Sequence, residues 1–142
     1  MLRARLIFFT LLTLLFIVSL TFGCTCNSPD RTKPEPYFPV QKEVAEVGML
    51  SRLEGKLVID DAGYIRVNGM NNFPPLIIWP YGYSLKIERE EVWIINDKGQ
   101  AVARVGDHVI LGGGELPAWA VEERIGHALP QDAKGPYFLA NP

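Results

Sequence analysis

Ser84-Leu85-Lys86-Ile87-Glu88-Arg89-Glu90-Glu91-Val92-Trp93-Ile94-Ile95-Asn96-Asp97-Lys98-Gly99-Gln100-Ala101-Val102-Ala103-Arg104-Val105-Gly106-Asp107-His108-Val109-Ile110-Leu111 is the stretch that decides the fold. Residues 84–88 alternate, with Leu85 and Ile87 on one face. Residues 92–95 follow after Arg89-Glu90. The turn Asn96-Asp97-Lys98-Gly99 leads into residues 101–105, and Gly106-Asp107 gives way to residues 108–111. Short apolar segments interrupted every few residues by Gly, Asn or Asp describe strands joined by tight turns.

The same pattern extends upstream. Leu53, Leu57, Val58 and Ile59 suggest a strand that ends at Asp60-Asp61-Ala62-Gly63. Residues 64–67 are its return, stopped by Asn68-Gly69, and residues 76–79 form an apolar run between Pro74-Pro75 and Pro80. Strict βα alternation is missing, which argues against a parallel sheet. The expected fold is mainly β: a small antiparallel meander closed into an OB-like barrel, with closure removing exposed edges.

Two helical patterns flank the strands. Val40, Val44 and Val47 have helical spacing with Gly48 as a stop, and predict a short helix. After Gly112-Gly113-Gly114, residues 117–127 read as a short C-terminal helix with Ala118, Val121 and Ile125 on one face. It is expected to plug an open barrel end. The tail Gly135-Pro136-Tyr137-Phe138-Leu139 is apolar enough to pack back as a final strand.

The N-terminus has a different character. Arg3 and Arg5 precede residues 6–23, 18 residues without charge, and Cys24 follows. A charged n-region, an apolar h-region and a small residue before cysteine form an export signal. Leu20-Thr21-Phe22-Gly23-Cys24 resembles a bacterial lipobox, with Leu20 one position early and Phe22 where small residues are usual. Three outcomes fit: cleavage with lipidation of Cys24, an uncleaved hydrophobic signal-anchor helix, or ordinary cleavage and release. The first two leave the domain tethered at the outer face of the plasma membrane, and two acyl chains suffice for stable attachment. Cys26 would be an exposed thiol or an intermolecular partner, or have no role. Residues 24–39 are a linker with Pro29, Pro34, Pro36 and Pro39. In polyproline II its 13 residues from Asn27 to Pro39 would reach about 40 Å. Tyr37 and Phe38 mark where the chain docks. The division is thus 1–23 signal or anchor, 24–39 linker, and 40–142 barrel domain with helix and tail.

Loss of residues 1–23 leaves 119 of the 142 residues, enough for one domain, and takes the net charge from −2 to −4. A mildly acidic surface argues against nucleic acid and against a peripheral hold on anionic lipid. No cysteine follows Cys26. The domain therefore relies on its apolar core, without internal disulfides, despite an oxidising exterior.

Three stretches carry a resemblance. They are Gly55-Lys56-Leu57-Val58-Ile59-Asp60-Asp61-Ala62-Gly63-Tyr64-Ile65-Arg66-Val67, Leu76-Ile77-Ile78-Trp79-Pro80-Tyr81-Gly82-Tyr83-Ser84, and Val102-Ala103-Arg104-Val105-Gly106-Asp107-His108-Val109-Ile110-Leu111-Gly112-Gly113-Gly114-Glu115. With Gly135-Pro136-Tyr137-Phe138 they resemble an uncharacterised family of small exported bacterial β-barrel domains, over more than half of the mature chain. The resemblance brings no catalytic role. Members of that family often have a cysteine at the place of Tyr64 and another near Ala133-Lys134, a pair suited to bridging barrel and tail. Neither is present here, so the resemblance implies a tail held less tightly.

Candidate chemistry is sparse. Trp79, Tyr81 and Tyr83 form an aromatic patch at a bend, suited to stacking on a sugar or peptide side chain. The alternative is Trp79 in the core with the tyrosines rimming the barrel. Arg104 would grip a carboxylate, or brace Asp107 across a turn. Gly112-Gly113-Gly114 would make an anion nest, or permit a bend or close backbone approach. Glu123 and His127 would share a metal, or make a surface hydrogen bond. Asp60-Asp61 and Asp97 lack the alternating ligands of a calcium loop and read as turn formers. No nucleophile with an oriented base is recognisable. The expectation is an exported, membrane-tethered domain of the cell envelope that binds or scaffolds without catalysis, metal or cofactor. Its partner would be an envelope protein, a peptide or a glycan. The alternatives are a hydrolase of envelope material using turn carboxylates and a purely structural accessory subunit of a membrane complex.

Overall fold

A computed structural model describes residues 34–69 and 72–142. The signal segment, Cys24 and Cys26 lie outside the described residues. The described part forms a compact unit, Pro34–Pro142.

The elements in chain order are β1 (Ser51–Ile59), β2 (Ile65–Asn68), β3 (Leu76–Ile78), β4 (Ser84–Glu88), β5 (Glu91–Ile95), β6 (Ala101–Arg104), β7 (His108–Leu116), α1 (Ala118–Ile125) and β8 (Tyr137–Ala140). The molecule is mainly β with one short helix among the described residues. Five strands close a barrel in the order β1-β2-β3-β8-β7. The remaining three, β4-β5-β6, make a separate antiparallel sheet inserted between β3 and β7. The expected single meander is therefore corrected in two respects. Consecutive strands β4–β6 leave the barrel, and the barrel closes through a parallel pair, Ile77 opposite Phe138 in β3 and β8.

Alternation along the strands separates two apolar layers. Ile77 and Trp79 face the barrel interior with Leu57, Ile65, Val67, Val109, Phe138 and Ala140. Leu76, Ile78 and Leu139 face outward and are covered by Val121 and Ile125 of α1, with Tyr64 and Ala133. The helix thus covers the outer face of β3 and β8 instead of plugging a barrel end. Its two buried side chains match the outward residues of those strands, and burial there removes the outward apolar face of β3 from water. The inserted sheet joins the interior instead, through fully buried Ile94, with Leu85 and Ala103 packed against the same core. Helix α1 is shorter than the predicted 117–127, because Gly126 takes a left-handed conformation at φ 79 and caps the last turn by donating to the Glu122 carbonyl.

Where β7 meets β8, a side chain at Gly113 would collide with the Leu139 carbonyl and the Phe138 ring. Of the two conformational roles offered for the triple glycine, close backbone approach is the one realised; β7 runs through it to Leu116 without a bend.

No helix forms at Val40–Val47. The chain there is a strap. Tyr37 and Val40 make parallel bridges to Tyr64 and Trp79. The Trp79 N–H donates to the Pro39 carbonyl and the Gln41 N–H to the Trp79 carbonyl, both at 2.9 Å. Buried Gln41 donates its side-chain N–H to the Ala140 carbonyl at 3.0 Å. Those sheet-like bonds compete with helical ones for the same backbone groups. Val44 and Val47, which would have formed the apolar stripe, are exposed. The docking expected at Tyr37 and Phe38 is observed, so residues 34–39 run along the compact unit as part of it.

Candidate functional site

Between β6 and the first half of β7 lies a cleft of about 320 Å³. Its floor is Trp79. Tyr83, Val102 and Ile110 form its walls, with His108 and Asn141 as further polar side chains at its ends. Trp79 is 2 % exposed and is sandwiched: Phe38 stacks on one side at 5.3 Å between ring centroids, and Tyr83 on the other at 6.4 Å. The indole N–H is buried with no hydrogen-bond partner among the described residues. A buried donor without an acceptor costs about 1–3 kcal/mol, so this atom marks a place where an acceptor would be favoured.

The aromatic patch read from the sequence is divided by the fold. Trp79 is core and floor at once. Tyr83 is a half-buried wall; burial, and secondarily the charge of Asp97, raises its pKa above the ordinary tyrosine range, so its hydroxyl remains a donor. Tyr81 is exposed and outside the cleft. The bend itself is a tight turn, with the Tyr83 N–H donating to the Pro80 carbonyl and Gly82 at φ 81. Gly82 lies against the hairpin tip, where an added side chain would come within 2.9 Å of the Asp97 Cβ.

Arg104 does not join them. It sits on β6 opposite Trp93, with its guanidinium 5.3 Å from that ring centroid. It donates to Glu91 at 2.8 Å and to Asp107 at 3.4 Å. The hydrogen bond to Glu91, then the charges of Glu91 and Asp107, raise its pKa further. Asp107 also accepts from the Arg104 backbone N–H at 3.0 Å, so the brace across the turn is present.

The remaining candidates resolve locally. Glu123 and His127 are not aligned on one helix, because α1 ends before His127; the His127 Nδ1 lies 3.0 Å from the Ala128 carbonyl. No group of three potential metal ligands occurs among the described residues. Asp60 is a turn former and more. It accepts from the Ala62 and Tyr64 N–H groups and pairs with Arg66 at 2.6 Å. Burial would raise its pKa, but the bonds from Tyr64 and Arg66 outweigh that and hold it below the ordinary carboxylate range.

Arg66 and Tyr64 tie barrel to tail. Arg66 donates to the Lys134 carbonyl at 2.9 Å, and the Tyr64 hydroxyl donates to Asp132 at 2.5 Å. Tyr64 also shares the outer apolar layer with Ala133. Barrel and tail thus meet here through hydrogen bonds and packing.

Phe38, Val102, His108, Ile110 and Asn141 were missed as site residues. A signal existed for two of them. Residues 101–103 and 109–111 are apolar on both strand faces, yet Val102 and Ile110 are 49 % and 58 % exposed. Strands apolar on both faces are normally covered on both faces. Comparison with protein-family models, curated proteins and solved structures returned no match.

Proposed function

We propose that the chain is an exported binding or scaffolding domain of the cell envelope, tethered at the outer face of the plasma membrane, and that its ligand sits in the cleft above Trp79. The cleft carries this reading: a half-open site of mixed polar and apolar lining with a stacked aromatic floor and exposed Val102 and Ile110 at the rims. Its polar side chains are Tyr83, His108 and Asn141, with no carboxylate among the described lining residues, so this cleft supports binding and offers no carboxylate pair for the hydrolase alternative. The tether rests on the sequence around Arg3, Arg5 and Cys24. The OB-like reading of the barrel is supported by strand order. Numbered within the barrel, the strands run first, second, third, fifth, fourth, with third and fifth parallel, a Greek-key closure.

Two measurements test the reading. Intact mass of the chain from membranes should show acylation that Cys24→Ala abolishes; equal processing in both would remove the lipid tether. Partner co-purification from detergent-solubilised membrane, compared for wild type, Tyr83→Ala and Tyr81→Ala beside thermal melts, addresses the cleft. Binding should fall with Tyr83→Ala while the melting temperature drops much less than it does for Trp79→Ala, and binding should persist with Tyr81→Ala. Loss that merely follows unfolding would return the cleft to the structural accessory reading.

A further inference from the structure

We infer that the cleft takes an extended polypeptide segment, which adds as a strand to the open edge of β7 at residues 108–111. The inference rests on the cleft being the binding site and names the class of ligand.

Backbone direction carries it. Strand β7 pairs with β1 in regular antiparallel register from His108 to Gly113. On that edge the Asp107 carbonyl accepts from the Leu57 N–H. On the opposite edge the Gly112 carbonyl accepts from the Asn141 N–H at 2.9 Å. Alternate residues of a strand present their N–H and C=O groups to opposite edges. Ile110 and His108, two and four residues before Gly112, therefore point away from β1 on the side that β8 occupies further along. Strand β8 pairs with residues 113–116, and Asn141 continues beside Gly112. On this side His108 and Ile110 have no backbone partner among the described residues, and the cleft borders them.

Such an edge is a ready template for another strand. Main-chain hydrogen bonds would supply affinity, and the pocket above Trp79 would take an alternate side chain of the added strand. The described lining carries no Lys, Arg, Asp or Glu, so an uncharged segment fits it.

The test uses the full chain in detergent micelles and random-sequence linear peptides selected by display. Amide hydrogen exchange is then read residue by residue with and without the selected peptide. Slower exchange at His108 and Ile110 by about tenfold or more is expected, since pairing protects an open amide. N-methylation of alternate peptide amides should weaken binding by about tenfold or more, the equivalent of one lost charge-neutral hydrogen bond. Ile110→Pro removes an N–H that β1 does not use and should abolish selection; the N-methylated peptide gives the same information without altering the protein. Failure to enrich any peptide on wild type over Ile110→Pro overturns the inference. So does peptide binding without protection of His108 and Ile110, which would leave the cleft as a binding site of another kind. Protection that grows with protein concentration in the absence of peptide would assign the edge to a second copy and also overturn it. If neither peptides nor soluble glycan fragments shift the Trp79 indole resonance, the cleft reading itself falls.

Discussion

The barrel and the inserted sheet are built from similar strands but held by different physics. In β3 all of Leu76, Ile77 and Ile78 are fully buried, because the interior takes one face and α1 the other. In β4 no residue is buried; Leu85 is half-buried and Ile87 is 48 % exposed. The barrel is a two-layer core, whereas the insert is a three-stranded flap attached through Ile94, with Leu85 and Ala103 packed against the same core. A continuous apolar run and an alternating run thus mark different numbers of covered faces.

The largest expected effect is at the junction of the two. Trp79→Ala should cost about 3–5 kcal/mol, since a fully packed indole leaves a cavity among Phe38, Tyr83 and the barrel interior. Ile87→Ala, on the exposed face of the insert, should cost about 0.5 kcal/mol or less. Denaturant melts showing equal losses would erase the distinction.

Next is Ile94→Ala, the residue that locks the insert to the barrel, at about 2–4 kcal/mol. The loss should appear globally. A local loss, with exchange rising only in β4–β6, would make the insert an independent cooperative unit.

The polar ties of the barrel should show a pH signature. The Asp60 carboxyl is held below its ordinary range, so its contribution is full above about pH 4, the unfolded value, and is lost as pH falls through the lower folded value. Tyr64 is the opposite case: burial and the bond to Asp132 push it up to about 12. Its contribution is full below about pH 10 and is lost as pH rises toward 12. Tyr64→Phe should flatten the alkaline limb and cost about 1 kcal/mol at neutral pH. An unchanged alkaline limb would show that the tail is not tied there.

The smallest effect lies in the insert's first hairpin. Arg89 and Glu90 both adopt positive φ, 49 and 70, in the two-residue turn between β4 and β5. Asn-Gly is the preferred pair for that geometry. Arg89→Asn with Glu90→Gly should therefore raise stability by about 1 kcal/mol. A lower melting temperature would mean that these side chains hold the flap in ways that backbone strain does not capture.

Much of the secondary structure was legible because it rests on local chemistry. Asp60-Asp61-Ala62-Gly63 and Asn96-Asp97-Lys98-Gly99 are turns with bonds that reach only a few residues. The brace of Arg104 by Asp107 spans three residues and was open to the same reasoning. The valine spacing at 40–47 misled, because periodicity reports a possible apolar stripe and not whether any surface exists to receive it. The cleft was illegible for a related reason. Phe38, Trp79, Val102, Ile110 and Asn141 come from five separate segments, and Ile110 reads as core until the neighbouring strand is seen to be missing.

By itself, the sequence determined most of the strands, the turns and the helix that follows the triple glycine. Each of these depends on neighbours within a few positions, where side-chain period and turn chemistry act. Only the tertiary structure decided that β3 closes against β8 in parallel, that β4–β6 stand outside the barrel, and that α1 covers its flank. Those outcomes depend on pairings between residues some sixty positions apart, such as Ile77 with Phe138, whose free energy comes from burying both faces of β3 at once.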